Sequence, residues 1–152
     1  MNAIFAVNLI DGFGTGADMP WPKSSIDLRR FRELTTGHTV VMGSGTWRSN
    51  MPKPLPDRRN IVISKTLVDS RCDVYSSVTD MMMNTQASEK VFVIGGAKVL
   101  WVMRPFITKV YLTRFNSADT CDVLLNTQKY LEEFKLISGE KFDGGHFEVW
   151  EK

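Results

Sequence analysis

Twice in this chain a short β-branched run breaks into glycine and then into a helical pattern. The two places are Val41-Met42-Gly43-Ser44-Gly45-Thr46-Trp47 and Val93-Ile94-Gly95-Gly96-Ala97-Lys98. A buried strand that turns through glycine into a helix is the corner of a parallel α/β sheet. The corner aims backbone N–H groups and a helix dipole at one point, which suits a phosphate. Glycine at the turn lets a ligand come close to the backbone. Any parallel α/β protein needs one such corner; two point to one extended ligand carrying several phosphates, such as a dinucleotide.

The rest of the chain fits that frame. A first strand is expected over 3–10, followed by a flexible glycine loop over 11–18 that ends in Met19-Pro20-Trp21-Pro22. The glycines of this loop do not match GxGxxG and no helix follows at once, so it reads as a mobile flap. A helix is expected to start with Ser24 or Ser25 as N-cap, to run through Thr35 and to end at Gly37. Strand signals follow at 39–42, 60–64, 72–75, 90–94 and 109–113, and helical stretches at 46–50, 78–85 and 97–104. Two last strands, 134–138 and 146–151, are joined through Asp143-Gly144-Gly145 as a hairpin. The expected fold is α/β: one domain over 1–152, a mostly parallel twisted sheet with helices on both faces and a C-terminal antiparallel hairpin.

Composition narrows the function. At 152 residues the chain suits a single domain with a real core. Nineteen Lys and Arg against seventeen Asp and Glu leave a formal charge of +2, which argues against nucleic acid or an anionic membrane as the main partner. Cys72 and Cys121 have no metal-type spacing, and His38 and His146 lie far apart, so no metal site and reduced thiols are expected. The apolar start, Met-Asn-Ala-Ile-Phe-Ala-Val, lacks a basic flank and soon meets Asn8 and Asp11. It reads as neither a signal peptide nor a span, and a cytoplasmic location is expected.

One acid stands out. Asp27 shares a helical stripe with Arg30, Phe31 and Leu34 through the i, i+3, i+4, i+7 rule. Burying a lone charge is costly, so a carboxylate there is paired, capped or functional. Its bland alternative is a first-turn acid that complements the helix dipole. Pro20-Trp21-Pro22 is either chain punctuation with a core tryptophan or an aromatic wall over a pocket. The loop Met51-Pro52-Lys53-Pro54-Leu55-Pro56-Asp57-Arg58-Arg59-Asn60 is either a solvated turn or a site in which Arg58 offers a guanidinium fork to a carboxylate. Arg30, Arg32 and Lys53 would add a basic rim for an anionic tail. Met81-Met82-Met83 reads as helix packing.

Together these segments resemble the dihydrofolate reductase family over nearly the whole chain. The resemblance rests on Met19-Pro20-Trp21, Asp27-Leu28 with Phe31, Val41-Met42-Gly43 with Thr46-Trp47, and Pro54-Leu55-Pro56 with Arg58 and Asn60-Ile61-Val62. Val93-Ile94-Gly95-Gly96 and Tyr111-Leu112-Thr113 complete it, in the same order and at compatible spacing.

The resemblance implies reduction of 7,8-dihydrofolate to tetrahydrofolate with NADPH, by hydride transfer to C6 and protonation of N5. It makes Asp27 the single acid, hydrogen-bonded to N3 and the 2-amino group of the pterin, with Thr113 in support. Trp21 and Met19 would shield the nicotinamide edge and help exclude water. Ile4, Ala6, Leu28, Phe31, Met51, Leu55 and Ile94 would surround the pterin and benzoyl ring, and Arg58 would bind the α-carboxylate of the glutamate, with Arg32 and Lys53 at the rim. Cofactor contacts would come from Ala6, Phe13, Gly14, Gly43, Ser44, Gly45, Thr46, Ser64, Lys65, Gly95, Gly96, Ala97, Lys98 and Val99. Asp122 would sit near the flap. A monomer that binds antifolates is expected.

Three departures from the family pattern are visible. Ser44 stands where a basic residue often meets the 2′-phosphate, which leaves Lys65 as the expected substitute ahead of Arg48 or Lys98. Leu100 replaces a tyrosine whose hydroxyl would lie near the reacting rings. The spacing from Trp21 to Asp27 is one residue longer than in many bacterial members. Two other readings share much of the pattern: a pyrimidine reductase of riboflavin synthesis, and a folate- or nucleotide-binding protein whose catalysis has decayed. Arg58 in its Pro-Leu-Pro loop disfavours the first, because a ribityl pyrimidine phosphate has no glutamate tail. An intact Asp27 disfavours the second.

Overall fold

Both glycine corners do sit at the carboxyl ends of neighbouring parallel strands. In the computed structural model, which describes residues 1–14 and 24–152, the chain begins β1 (Asn2–Val7), β2 (Gly12–Gly14), α1 (Ser25–Thr35), β3 (Thr39–Gly43) and α2 (Ser44–Trp47). It continues β4 (Arg59–Ile63), β5 (Asp73–Tyr75), α3 (Val78–Met83), β6 (Val91–Gly95) and α4 (Ala97–Met103), the last extended by a 3₁₀ turn at Arg104–Phe106. It closes with β7 (Lys109–Phe115), β8 (Val123–Leu124), α5 (Thr127–Tyr130), β9 (Lys135–Phe142) and β10 (Gly145–Glu151). An eight-stranded sheet runs β5-β4-β3-β6-β1-β7-β10-β9, parallel from β5 to β7, with β10 and β9 antiparallel at one edge.

Successive residues on the central strands feed opposite faces. One face holds Ala3, Phe5, Val7, Val41, Ile61, Val93 and Leu112, packed under Met81 of α3, Leu100 and Met103 of α4, and Tyr130 of α5. The other holds Ile4, Val40, Met42, Val62 and Phe92, packed with Trp47 and Leu55 and partly covered by Phe31 and Leu34 of α1. Burial on both faces is why these strands read as continuous apolar runs.

Local chemistry sets the ends. Hydropathy alone carries the first strand to Ile10, but it stops at Val7 because the Asn8 side-chain oxygen accepts from the Ile10 and Gly12 amides at 3.1 and 2.8 Å. That turn takes the backbone out of the ladder and leaves Leu9 and Ile10 exposed. The loop expected over 11–18 begins instead as strand β2, paired antiparallel with β8. Asp11 fastens this ribbon, accepting from the Thr127 hydroxyl at 2.7 Å and the Thr127 amide at 3.2 Å. The remainder of that loop lies outside the described residues. Ser24 caps α1 by accepting from the Asp27 amide at 3.2 Å, and Gly37 leaves the helix at φ 83. The second helix starts at once after Gly43, earlier than position 46, and β9 is longer than expected because it pairs with β10 along its length.

Candidate functional site

The first turn of α1 brings Asp27 over the sheet, where it meets β7. The Thr113 hydroxyl donates to Asp27 Oδ1 at 2.7 Å. Thr113 itself is buried, so this hydroxyl is a fixed donor. Burial raises the Asp27 carboxyl above its ordinary value; the Thr113 hydrogen bond and the Arg30 charge act against that rise. An acid held half-buried by a single threonine, over the partly covered face of the sheet, has the electrostatic character of a proton-handling group.

A wall of apolar side chains stands beside it. Ile4 and Ala6 are buried on β1, and Ile94 and Met51 are partly buried against the α1-face cluster with Phe31. Leu55 is buried, and its loop is tied by Asn60, whose side chain accepts from the Leu55 amide and donates to the Leu55 and Arg58 carbonyls, each at 3.0 Å. The Lys53–Pro54 bond in this loop is cis. Leu28, next to Asp27 on α1, is 54% exposed.

Arg58 is held in place before any ligand arrives. Nε donates to the Pro56 carbonyl at 2.8 Å, one terminal nitrogen donates to the buried Thr35 hydroxyl at 3.0 Å, and the guanidinium lies 5.9 Å from the Phe31 ring centroid. Burial lowers its pKa, Arg32 pushes the same way, and Asp57 opposes them. Neither Thr35 nor Asn60 was named by the sequence reading as part of the site. Thr35 closes a helix and Asn60 opens a strand, and only their non-local bonds show what they do.

The basic rim is corrected in one respect. Arg32 is exposed at the end of α1, and Lys53 is partly buried in the Pro loop. Arg30 does not join them. Its guanidinium leans over β7 and β10 instead, 4.2 Å from the Phe147 centroid and 5.8 Å from that of Tyr111. Helical spacing places Asp27, Arg30 and Phe31 on one stripe, but a stripe has two edges.

The two glycine corners meet. Gly43 and Gly95 end adjacent strands, with Met42 opposite Gly95 and a register shift between Val41 and Met42. Gly95 adopts φ 134, the Gly95–Gly96 bond is cis, and a Cβ on Gly95 would stand 3.2 Å from Phe13 Cζ and 3.5 Å from Thr46 Oγ1. A side chain there is excluded by conformation and by space. Thr46 also stands 3.7 Å from the Cβ position of Gly96, and Val99 of α4 stands 3.0 Å from that of Gly43. Ser44, Gly45, Thr46, Ala97, Lys98 and Val99 therefore surround one cradle, to which β2 adds Phe13 and ends at Gly14.

Ser64 follows β4 beside Ser44, since Ile63 pairs with Gly43. Its hydroxyl oxygen accepts from the Thr66 and Leu67 amides, and Lys65 next to it is exposed. Lys98 is exposed at the start of α4. Leu100, which stands where the family often carries a tyrosine, is sealed in the α4-face core. Asp122 is exposed next to β8. Met19 and Trp21 lie outside the described residues. Among the described residues no group of His, Cys, Asp and Glu could hold a metal ion, and no helix is long and apolar enough to cross a membrane.

A half-buried acid beside a partly open apolar wall, with a glycine cradle on neighbouring parallel strands, defines an α/β protein built to hold a nucleotide-like ligand against a second small molecule. Its fold is that of a dihydrofolate reductase from Enterococcus faecalis solved with NADP(H) and RAB-propyl, with a TM-score of 0.85, 24% identity, and coverage of 99% of this chain and 94% of that one. Residues 1–148 match the family model for dihydrofolate reductase. The chain is 35% identical to the dihydrofolate reductase of Bacillus subtilis over 146 residues, 91% of this chain and 82% of that protein. It is 36% identical over 127 residues to the bifunctional dihydrofolate reductase-thymidylate synthase of Paramecium tetraurelia, covering 81% of this chain and only 27% of that much longer protein. The chain belongs to the dihydrofolate reductase family.

Proposed function

We propose that this chain reduces 7,8-dihydrofolate to tetrahydrofolate with NADPH. The observation that carries the reading is the Asp27–Thr113 pair at 2.7 Å, set beside the cleft between α1 and the Pro loop. NADPH supplies the hydride for C6 when bound. The residues present fit it: Gly43, Gly95 and Gly96 keep the backbone bare where a Cβ would crowd Val99, Phe13 and Thr46, and the starts of α2 and α4, rich in amides, follow directly. Lys65, next to Ser64 past the end of β4, is the cation that would meet a 2′-phosphate.

Asp27 takes the pterin's N3 and 2-amino hydrogens on its carboxylate, with Thr113 fixing one oxygen so that the other faces the ring. Its raised pKa leaves the acid poised to stabilise the proton that N5 must gain. Ile4, Ala6, Phe31, Met51, Leu55 and Ile94 supply the apolar walls, and water kept off those walls strengthens the acid's hydrogen bonds. Arg58, already oriented by Thr35 and Pro56, meets the glutamate α-carboxylate without first having to be ordered. Met19 and Trp21 would close over the nicotinamide edge. We further propose that the chain works as one monomeric domain in the cytoplasm, without nucleic acid or membrane.

The test is loss of NADPH absorbance on adding dihydrofolate, with NADH and Asp27→Asn run in parallel. Turnover with NADPH that collapses in the variant supports the reaction and the acid, and the NADH ratio tests Lys65. Tight antifolate binding without turnover overturns the enzyme in favour of a binding protein. No antifolate stabilisation of the melting temperature overturns the pterin site itself.

A further inference from the structure

We propose that Arg30 is a positioning residue for the acid: seated on the Phe147 and Tyr111 rings behind Asp27, it keeps that carboxylate in its charged, Thr113-bound form. The inference rests on the functional reading only where turnover is measured.

The geometry places ring contacts from two strands around one cation. Arg30 lies one turn after Asp27 on α1, so both project from the same side of the helix. Phe147 on β10 is the direct cross-strand partner of Thr113, the residue that donates to Asp27. Tyr111 stands two residues before Thr113 on β7 and so faces the same way. The Arg30 guanidinium at 4.2 Å from the Phe147 centroid is thus fixed against the neighbour of the acid's own anchor. A cation stacked on two rings loses little entropy when held there, and the ring faces favour it.

The charges facing this pair decide the sign. Asp27 on α1, Tyr111 on β7 and Glu140 on β9 all act on the Arg30 cation, which burial alone would weaken. Arg29 and Glu33 share its groove between α1 and the β9–β10 edge, a depression of about 400 Å³. Facing Asp27 are the Thr113 hydroxyl and the Arg30 charge, both favouring the ionised form against burial. Removing the Arg30 charge leaves burial opposed by one hydrogen bond.

The experiment follows the Asp27 carboxyl carbon by NMR titration in the unliganded protein, with Asp27→Asn to assign the signal. In Arg30→Gln the Asp27 midpoint moves to higher pH, and Arg30→Lys restores part of the displacement. An unmoved midpoint in folded Arg30→Gln overturns the proposal and leaves Arg30 a packing residue; should that variant not fold, Arg30→Met, which keeps an unbranched apolar stem against the rings, is read the same way. With dihydrofolate and NADPH, the high-pH fall of kcat moves the same way as the NMR midpoint. Parent protein that does not turn over dihydrofolate sinks the functional reading, while the ligand-free titration still decides the role of Arg30.

Discussion

The two faces of the central sheet use the same strands for different ends. Under α3, α4 and α5 the face is closed: Leu100, Met103 and Tyr130 are fully buried, and each fully buried apolar side chain there contributes roughly 1.5–3 kcal/mol. Its polar groups are matched inside the protein, with the Tyr130 hydroxyl donating to the Leu100 carbonyl at 3.1 Å and Arg104 donating to the carbonyls of Tyr130 and Glu132 at 2.7 and 2.6 Å. Under α1 the face is half-finished. Phe31, Leu34, Met51 and Ile94 are only partly buried, and the acid sits among them with a raised pKa. One residue along a strand is enough to pass from one regime to the other, as Leu112 and Thr113 show. Both sides carry a buried core, Val40, Met42, Trp47, Val62 and Phe92 on the α1 side, and the α1 side adds the partly buried groups expected to meet the pterin.

Substitutions divide along the same line. Asp27→Asn should lower turnover near neutral pH by about 10²- to 10⁴-fold, the usual worth of a positioned acid, while antifolate-free secondary structure stays intact by circular dichroism. Met103→Ala, on the closed face, should cost roughly 2–5 kcal/mol in a denaturant melt, yet leave KM for dihydrofolate unchanged in the folded fraction. A large change in KM there would break the division between the faces. Arg58→Ala should raise KM for dihydrofolate by about 10- to 100-fold with kcat little altered, since a charge-assisted hydrogen bond is worth roughly 1.5–3 kcal/mol. A substrate lacking the glutamate should be indifferent to that change.

The smallest effect sharpens the comparison most. Because the Asp27 pKa is raised in the fold, ionising it costs stability as pH climbs through its ordinary value toward the raised one. Asp27→Asn removes that cost, so its melting temperature should exceed the parent's at pH 7 and not at pH 3. Equal pH dependence in parent and variant would mean the site stores no such strain.

Much of this was legible before any coordinates, where the signals are local. The Ser24 cap, the Thr35 end of α1 and both glycine corners depend on residues within a turn of each other. The β2–β8 ribbon was not legible, because two short strands far apart in sequence carry no periodicity and are held by Asp11 and Thr127. Arg58 was readable as a fork, but not Thr35 as its holder. The direction of Arg30 was hidden for a related reason: helical spacing gives the face of a side chain, whereas the rings that draw it aside come from β7 and β10. The Leu9–Ile10 extension failed because a single amide side chain outweighs two apolar residues at a strand end.

Strands β3 and β6 are neighbours, although β4, β5 and α3 intervene in the chain. That excursion leaves the sheet's centre and comes back on the same side, so the cradle is sewn together by ladder hydrogen bonds and owes nothing to the length of the connection. The last bend of the excursion, at Gln86, Ala87 and Ser88, is exposed. Lengthening an exposed loop whose ends are already fixed costs little closure entropy. The bend between Ala87 and Ser88 is thus a natural insertion port, where a reporter peptide can be grafted while both halves of the nucleotide cradle stay in register.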